Sequence, residues 1–180
     1  FNLSVTAYGS HFSNFLYQAP TGEVRDDLPV YASREGRASY TGFEVQADAQ
    51  LGEVAGLKWG IEGQADATRV RIRDFGPAPL IPPLRLKGAV SAIRGAVGGR
   101  LELEHDFAQK RTAPLELPTA GFTLVNASAD WHPFESRPDL TLSLAANNLF
   151  DVVARRSTSL LKDYAPLAGR DVRLTLSLKV

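Results

Sequence analysis

The last ten residues of the chain alternate strictly between apolar and polar side chains. The apolar positions are Val172, Leu174, Leu176, Leu178 and Val180. The residues between them, from Asp171 to Lys179, are polar or charged. A period of two predicts a β-strand with one apolar and one polar face. About ten residues is also the length that a tilted strand needs to cross a bilayer.

The same alternation recurs along the rest of the chain. It predicts further strands at residues 3–8, 43–51, 58–68, 85–93, 100–107, 125–131 and 140–147. No apolar run approaches the roughly 18 residues that a spanning helix requires. We therefore predict an all-β fold, an antiparallel meander of about eight transmembrane strands.

The connections between these strands differ in length in a regular order. Long connections are predicted at residues 18–37, 74–83, 109–120 and 151–170, and short ones at 51–57, 94–98 and 133–138. Long and short connections alternate, which places all short ones at one end of the sheet. Outer-membrane barrels have this layout, with the short turns on the periplasmic side. The long connections are then expected outside the cell.

The two predicted faces differ sharply in charge. The apolar face carries no charge at its central positions, where one Arg or Lys would cost about 2–4 kcal/mol in a bilayer. The other face is dense in charge, with Glu44, Asp48, Lys58, Glu62, Asp66, Arg100, Glu102, Glu104, Asp106, Asp130, Arg173 and Lys179. We expect the apolar face to meet lipid and the charged face to line a lumen. A soluble sandwich with its apolar side inward is the alternative.

Composition excludes several classes of protein. Lys+Arg and Asp+Glu are both 20, so the chain lacks the basic excess of a nucleic-acid binder. The absence of Cys excludes disulfides and thiolate metal sites within it. No catalytic motif occurs, and we interpret the charged face as lumen lining. We therefore expect a protein that is not an enzyme, has no cofactor and binds no nucleic acid.

Several segments resemble one known family. Near the end, Asn147, Asn148, Leu149, Phe150 and Asp151 are similar to the Asn-Leu-Phe-Asp signature of TonB-dependent outer-membrane receptors. As in that family, Gly169-Arg170 precedes a terminal alternating strand, and residues 40–44 resemble its aromatic-x-Gly-x-Glu strand. Residues 11–17, 21–23, 28–31 and 162–166 look like the branch associated with zinc or haem uptake.

The resemblance implies that residues 1–180 are the carboxy-terminal portion of a 22-stranded barrel. The chain contains no Met and starts at Phe1, so we expect a fragment or a processed product without the plug domain. Gly169 and the terminal strand would serve as the signal for the barrel-assembly machinery. The family usually ends in an aromatic residue, whereas this chain ends at Val180.

The resemblance also implies a function and partners. The chain would be part of a receptor in the outer membrane of a Gram-negative bacterium, importing a scarce metal ion, haem or metal chelate. Its partners would be outer-membrane lipid, its own plug domain and, through regions outside this chain, the TonB energy-coupling complex. Two alternatives remain: a self-contained small barrel with a structural or adhesive role, and a soluble β-sheet binding module.

Seven residues are candidates for ligand contact, although the sequence leaves any metal unidentified. His11 and His105 lie towards the outer ends of their strands, and Asp106 beside His105 adds a carboxylate. By parity His105 belongs to the apolar face, so an interfacial histidine is the alternative there.

The other four candidates lie in long connections. Asp26 and Asp27 form an acidic patch that could attract cations. Arg155 and Arg156, with Lys162 nearby, could meet an anionic chelate. The simpler expectation for both sets is that they are solvated loop side chains.

Overall fold

The computed structural model describes residues 1–134 and 140–178. These residues form nine strands: β1 Asn2–Arg25, β2 Leu28–Val54, β3 Leu57–Ile72, β4 Gly76–Pro77, β5 Arg85–Arg94, β6 Val97–Asp106, β7 Phe122–Trp131, β8 Leu140–Asn147 and β9 Asp171–Leu178. The described part of the chain holds no helix long and apolar enough to cross a membrane. Val180 and Pro138, which belong to a predicted strand and a predicted turn, lie outside the described residues.

The strands form one antiparallel sheet. Its order is β1-β2-β3-β5-β6-β7-β8-β9, and the two-residue β4 pairs with the end of β3. The prediction of an all-β antiparallel meander of about eight strands is therefore confirmed. Two-residue turns at 55–56 and 95–96 occupy one end of the sheet. At the other end lie three long loops, here named loop A (residues 73–84), loop B (107–121) and loop C (148–170).

One predicted connection was wrong. Residues 18–37 were expected to form a long loop, but they extend β1 and β2 into a hairpin that turns only at Asp26 and Asp27. Both turn residues have positive φ, at 49° and 62°, as tight two-residue hairpins require. Pro20 lies at a register shift between Pro20 and Val24, where a bulge tolerates the missing N–H.

The register places side chains in continuous rows across the sheet. One row runs Asp48, Glu62, Ala89, Glu102 and Asn126, on what we call the polar face. The row on the opposite side runs Ala49, Ile61, Val90, Leu101 and Ala127, on the apolar face. Strict alternation keeps each row on its own side over the whole sheet.

The apolar face is open. Leu101 is 49% exposed, Leu174 67% and Leu176 68%, and no described residue forms a second layer over them. A contiguous exposed apolar surface of this extent indicates contact with lipid or protein. The buried core is correspondingly small and lies on the polar side, under the long loops. One cluster joins Ala38, Val70, Ile72 and Ala78, and another joins Phe122, Leu124 and Ala154.

Candidate functional site

The charges of the polar face pair with one another across the strands. Arg100 donates from Nη1 to Glu62 Oε1 at 2.6 Å and from Nη2 to Glu62 Oε2 at 2.9 Å. This bidentate ion pair crosses the intervening strand β5, where the small side chain of Ala89 leaves room for it. Beside the pair lies a depression of about 340 Å³ lined by Asp48, Glu62, Lys87, Arg100 and Glu102, among other residues. This surface offers both signs of charge to a polar occupant.

Nearer the long loops, the pairing becomes tighter and more buried. Arg85 donates to Asp66 Oδ1 at 2.9 and 3.0 Å, and Lys87 Nζ lies 2.9 Å from Glu104 Oε2. The Glu104 side chain is only 5% exposed. A buried carboxylate needs such partners, because an unpaired one would be strongly unfavourable away from water.

Loop C supplies a second cation to Glu104. Arg156 donates from Nη1 to Asp106 at 2.8 Å and forms an ion pair with Glu104. Burial by itself would lower the pKa of the Arg156 guanidinium, but its contacts with Glu104 and Asp106 outweigh burial and raise it. The guanidinium therefore stays charged and holds loop C against the sheet. Asp106 and Arg156 were separate ligand candidates, and the structure brings them together.

Lys162 forms the second attachment of loop C. Its Nζ donates to Glu116 Oε1 and to the Leu117 carbonyl, both at 2.8 Å. The Lys162 side chain is 4% exposed, so its expected solvation was wrong. Glu116 belongs to loop B and also accepts from the Leu80 amide of loop A, at 3.2 Å. One buried ion pair thus joins all three long loops.

Polar contacts around Ile81 reinforce this junction. Its carbonyl accepts from Gln109 Nε2 of loop B at 2.7 Å and from Ser157 Oγ of loop C at 3.4 Å. Arg155 donates to the Lys162 carbonyl at 2.6 Å, which folds loop C on itself. The three loops therefore form one hydrogen-bonded cap over the polar face.

The segment 147–151 forms the corner where loop C leaves β8. Asn148 is buried with φ 49°, and its Oδ1 accepts from the Val152 amide at 2.8 Å. Its Nδ2 donates to the Val152 carbonyl at 2.9 Å and to the Ala168 carbonyl at 3.3 Å. Asn suits this position because it tolerates positive φ and bonds to nearby backbone. The side chain joins the start of the loop to its end.

Asp151 completes the corner on the other side. Its Oδ1 accepts from the Arg170 amide at 2.8 Å, immediately before β9 begins. A Cβ on Gly169 would lie 2.7 Å from that oxygen, so a larger residue there would displace the Asp151 carboxylate. Asn147 donates to Asp171 at 3.3 Å, whereas Phe150 is 72% exposed. Three of the five motif residues, Asn147, Asn148 and Asp151, therefore hold the loop or the start of the following strand.

The remaining ligand candidates are not brought together. His105 lies on the apolar face, with its Nδ1 2.8 Å from Thr123 Oγ1, whereas Asp106 lies on the polar face. Asp26 and Asp27 form the exposed tip of the long hairpin, and His11 lies lower on β1. Among residues 1–134 and 140–178, no three His, Cys, Asp or Glu side chains are grouped as metal ligands.

Sequence reasoning missed Glu116 and Gln109, which join the loops. Both lie in loop B, where no periodic pattern assigns side chains to a face. Lys87 was also missed, because the alternation of β5 is weak. Once β5 is assigned as a strand, Lys87 lies directly opposite Glu104 on β6, and the ion pair follows from that register.

Comparison with known proteins gives a consistent result. The family model described as "TonB dependent receptor-like, beta-barrel" matches residues 1–149. None of the curated proteins matches the chain by sequence.

Solved structures share the fold. The copper transporter OprC superposes with a TM-score of 0.81 at 17% identity, over 98% of this chain and 29% of that one. The structure of the FpvAI–pyocin S2 complex gives 0.69 at 14% identity, over 98% and 24%. The ferric-catecholate import receptor Fiu from E. coli K12 gives 0.66 at 17%, over 98% and 25%. The chain thus spans less than a third of the length of these structures.

Proposed function

Because the chain belongs to the TonB-dependent receptor-like β-barrel family, we propose that it forms part of an outer-membrane receptor that imports a scarce metal-related solute. In this proposal the apolar face meets lipid and the polar face lines the lumen. The long loops face outside, and the two-residue turns face the periplasm, as in bacterial barrels. The observation that carries the proposal is the family match over 149 residues of a sheet with these two faces.

Residues 1–180 are proposed to be the carboxy-terminal portion of the barrel. Support comes from the share of the neighbouring structures that they cover, 29% at most, and from the motif at residues 147–151. The other strands, the plug domain and the segment that engages TonB would lie elsewhere in the longer protein. The barrel-assembly machinery would read β9 and the residues that follow it.

The solute is proposed to be a metal ion, haem or metal chelate. OprC is a copper transporter and Fiu imports ferric catecholates, so the same fold carries metal-related solutes in both. The charged side chains of the polar face form ion pairs with one another, which suits the wall of a lumen along which a polar solute binds and passes. Transport through such a lumen requires no bond chemistry, so we propose a transporter and no enzymatic activity.

The test is uptake by cells that express the full-length receptor. Receptor-deleted cells and complemented cells are given copper, zinc, haem and ferric chelates separately, and cell-associated metal is measured after short pulses. We expect one class of solute to accumulate faster in complemented cells, and a protonophore to abolish the difference. Equal accumulation of every solute, or recovery of the receptor in the soluble fraction, would contradict the proposal.

A further inference from the structure

A basic patch lies on the apolar face, just beyond its apolar rows. It consists of His11 on β1, Arg37 on β2, Arg69 and Arg71 on β3, and Arg73 at the start of loop A. Register places His11 opposite Ser39 and Ser39 opposite Arg71, and the Arg73 amide donates to the Arg37 carbonyl at 2.8 Å. All five patch residues are exposed.

Contacts on the polar face fix the side to which this patch belongs. Tyr8 OH lies 2.8 Å from Thr68 Oγ1, and the Tyr8 ring stacks on Tyr40 at 5.5 Å, on the polar side. Val70 and Ile72 are buried on that same side. Because side chains alternate along a strand, Arg69 and Arg71 project from the opposite face, in line with Ala67.

The arginines of the patch lack the partners that arginines have on the polar face. Arg85, Arg100 and Arg156 each form an ion pair there. Within residues 1–134 and 140–178, by contrast, no carboxylate forms an ion pair with any arginine of the patch. Four of the five patch residues, His11, Arg37, Arg71 and Arg73, line a concavity of about 610 Å³ that also includes Phe12 and Asp74. Three arginines and one carboxylate thus line this open space, which leaves an excess of positive charge, and Arg69 adds a fourth arginine on the same face.

The position of the patch along β3 can be compared with the thickness of the hydrocarbon layer. Along β3, apolar-face positions run from Leu57 to Ala67, which is 11 residues. A tilted strand of about 9–11 residues crosses the hydrocarbon layer. Arg69 is therefore the first apolar-face position past that layer, at the end that carries the long loops. At this depth a guanidinium reaches lipid headgroups, and its fork geometry suits phosphate oxygens.

We propose that the basic patch binds the phosphate groups of an anionic lipid in the outer leaflet of the outer membrane. The inference rests on the orientation given by the proposed function. Charge complementarity selects the occupant, because the patch has unpaired positive charge at headgroup depth and apolar rows directly below it for acyl chains. A neutral lipid would leave the arginines without a partner. The site is separate from the polar face, where solute would pass.

The test uses the full-length receptor purified in detergent and bisphosphorylated lipid A as the probe. Bound lipid is measured by native mass spectrometry during titration. The triple variant Arg69→Gln, Arg71→Gln, Arg73→Gln removes three charges. Each charge near an anionic surface contributes about fivefold to binding, so we expect affinity to fall about a hundredfold. The control variant Arg25→Gln with Arg34→Gln, on the exposed hairpin, is expected to bind as the parent does.

Further arms separate the possible outcomes. Dephosphorylated lipid A is expected to bind weakly, and inorganic phosphate at the same concentration is expected not to compete. Equal binding by parent and triple variant, or full displacement by inorganic phosphate, would overturn the proposal. The single variant Arg71→Gln, expected to weaken binding about fivefold, replaces the triple variant if that one does not fold. Solute uptake should persist in these variants, so failure here is distinct from failure of the proposed function.

Discussion

Replacing Lys162 by methionine is expected to destabilise the closed cap of loops A, B and C by about 3–5 kcal/mol, the usual cost of removing one partner of a buried ion pair. The substitution leaves the Glu116 carboxylate buried, with the amides of Leu80 and Ala113 as its partners. Hydrogen exchange of loop B and loop C amides in the full-length receptor measures the effect. A loss of protection of this size speeds exchange by roughly two to four orders of magnitude.

Two variants control for side effects of that change. Lys110→Met removes an exposed lysine of the same loop system and is expected to leave exchange unchanged. Lys162→Met combined with Glu116→Gln removes the stranded charge, so protection should return in part. If Lys162→Met and Lys110→Met exchange alike, the ion pair does not hold the cap closed.

Replacing Val90 by arginine is expected to cost about 2–4 kcal/mol, because it places a charge near the middle of the apolar rows. Val90 lies between Ile61 and Leu101 on the apolar face. The measurement is the urea concentration at which the full-length barrel unfolds in lipid vesicles. A parallel measurement is the amount of folded receptor in the outer membrane, which should fall with the same variant.

The neighbouring residue provides a matched control. Ala89 lies on the polar face between Glu62 and Glu102, beside the open depression. Ala89→Arg adds the same charge one residue away. It crowds the partly exposed Arg100–Glu62 pair, which is worth at most about 1 kcal/mol, but Glu62 and Glu102 receive the new charge, so the variant is expected to unfold close to the parent. Equal destabilisation by Val90→Arg and Ala89→Arg would contradict the assignment of the two faces. Val90→Arg would also be destabilising if a protein core covered this face. Accessibility to dissolved oxygen separates the two cases, because oxygen enters lipid but not a packed protein core.

The strands and their faces were predictable because backbone geometry forces a period of two. The alternation of Val172, Leu174 and Leu176 with polar residues already predicted β9. The same rule placed His105 and Asp106 on different faces of the sheet. The long hairpin was not predictable in this way. Pro20, Gly22 and Pro29 signal a loop locally, yet pairing with the opposite strand and a bulge overrides that signal.

The loop contacts were beyond prediction for a different reason. Lys162 and Glu116 are 46 residues apart and both lie in irregular backbone, so no period relates them. Arg156 meets Asp106 across 50 residues, although each was singled out from sequence alone. Asn148 was recognisable from its motif, but its bonds to Val152 and Ala168 depend on how loop C returns to the sheet.

Spin-label accessibility along β7 tests most directly whether the apolar face meets lipid. This chain has no Cys, so single cysteines at Ala127, Ser128 and Ala129 can each carry one nitroxide in a receptor freed of other cysteines. We predict high collision rates with oxygen and low rates with a nickel chelate at residues 127 and 129, and no such contrast at residue 128. Low oxygen access at residues 127 and 129 would mean that protein covers the apolar face, which would contradict the account.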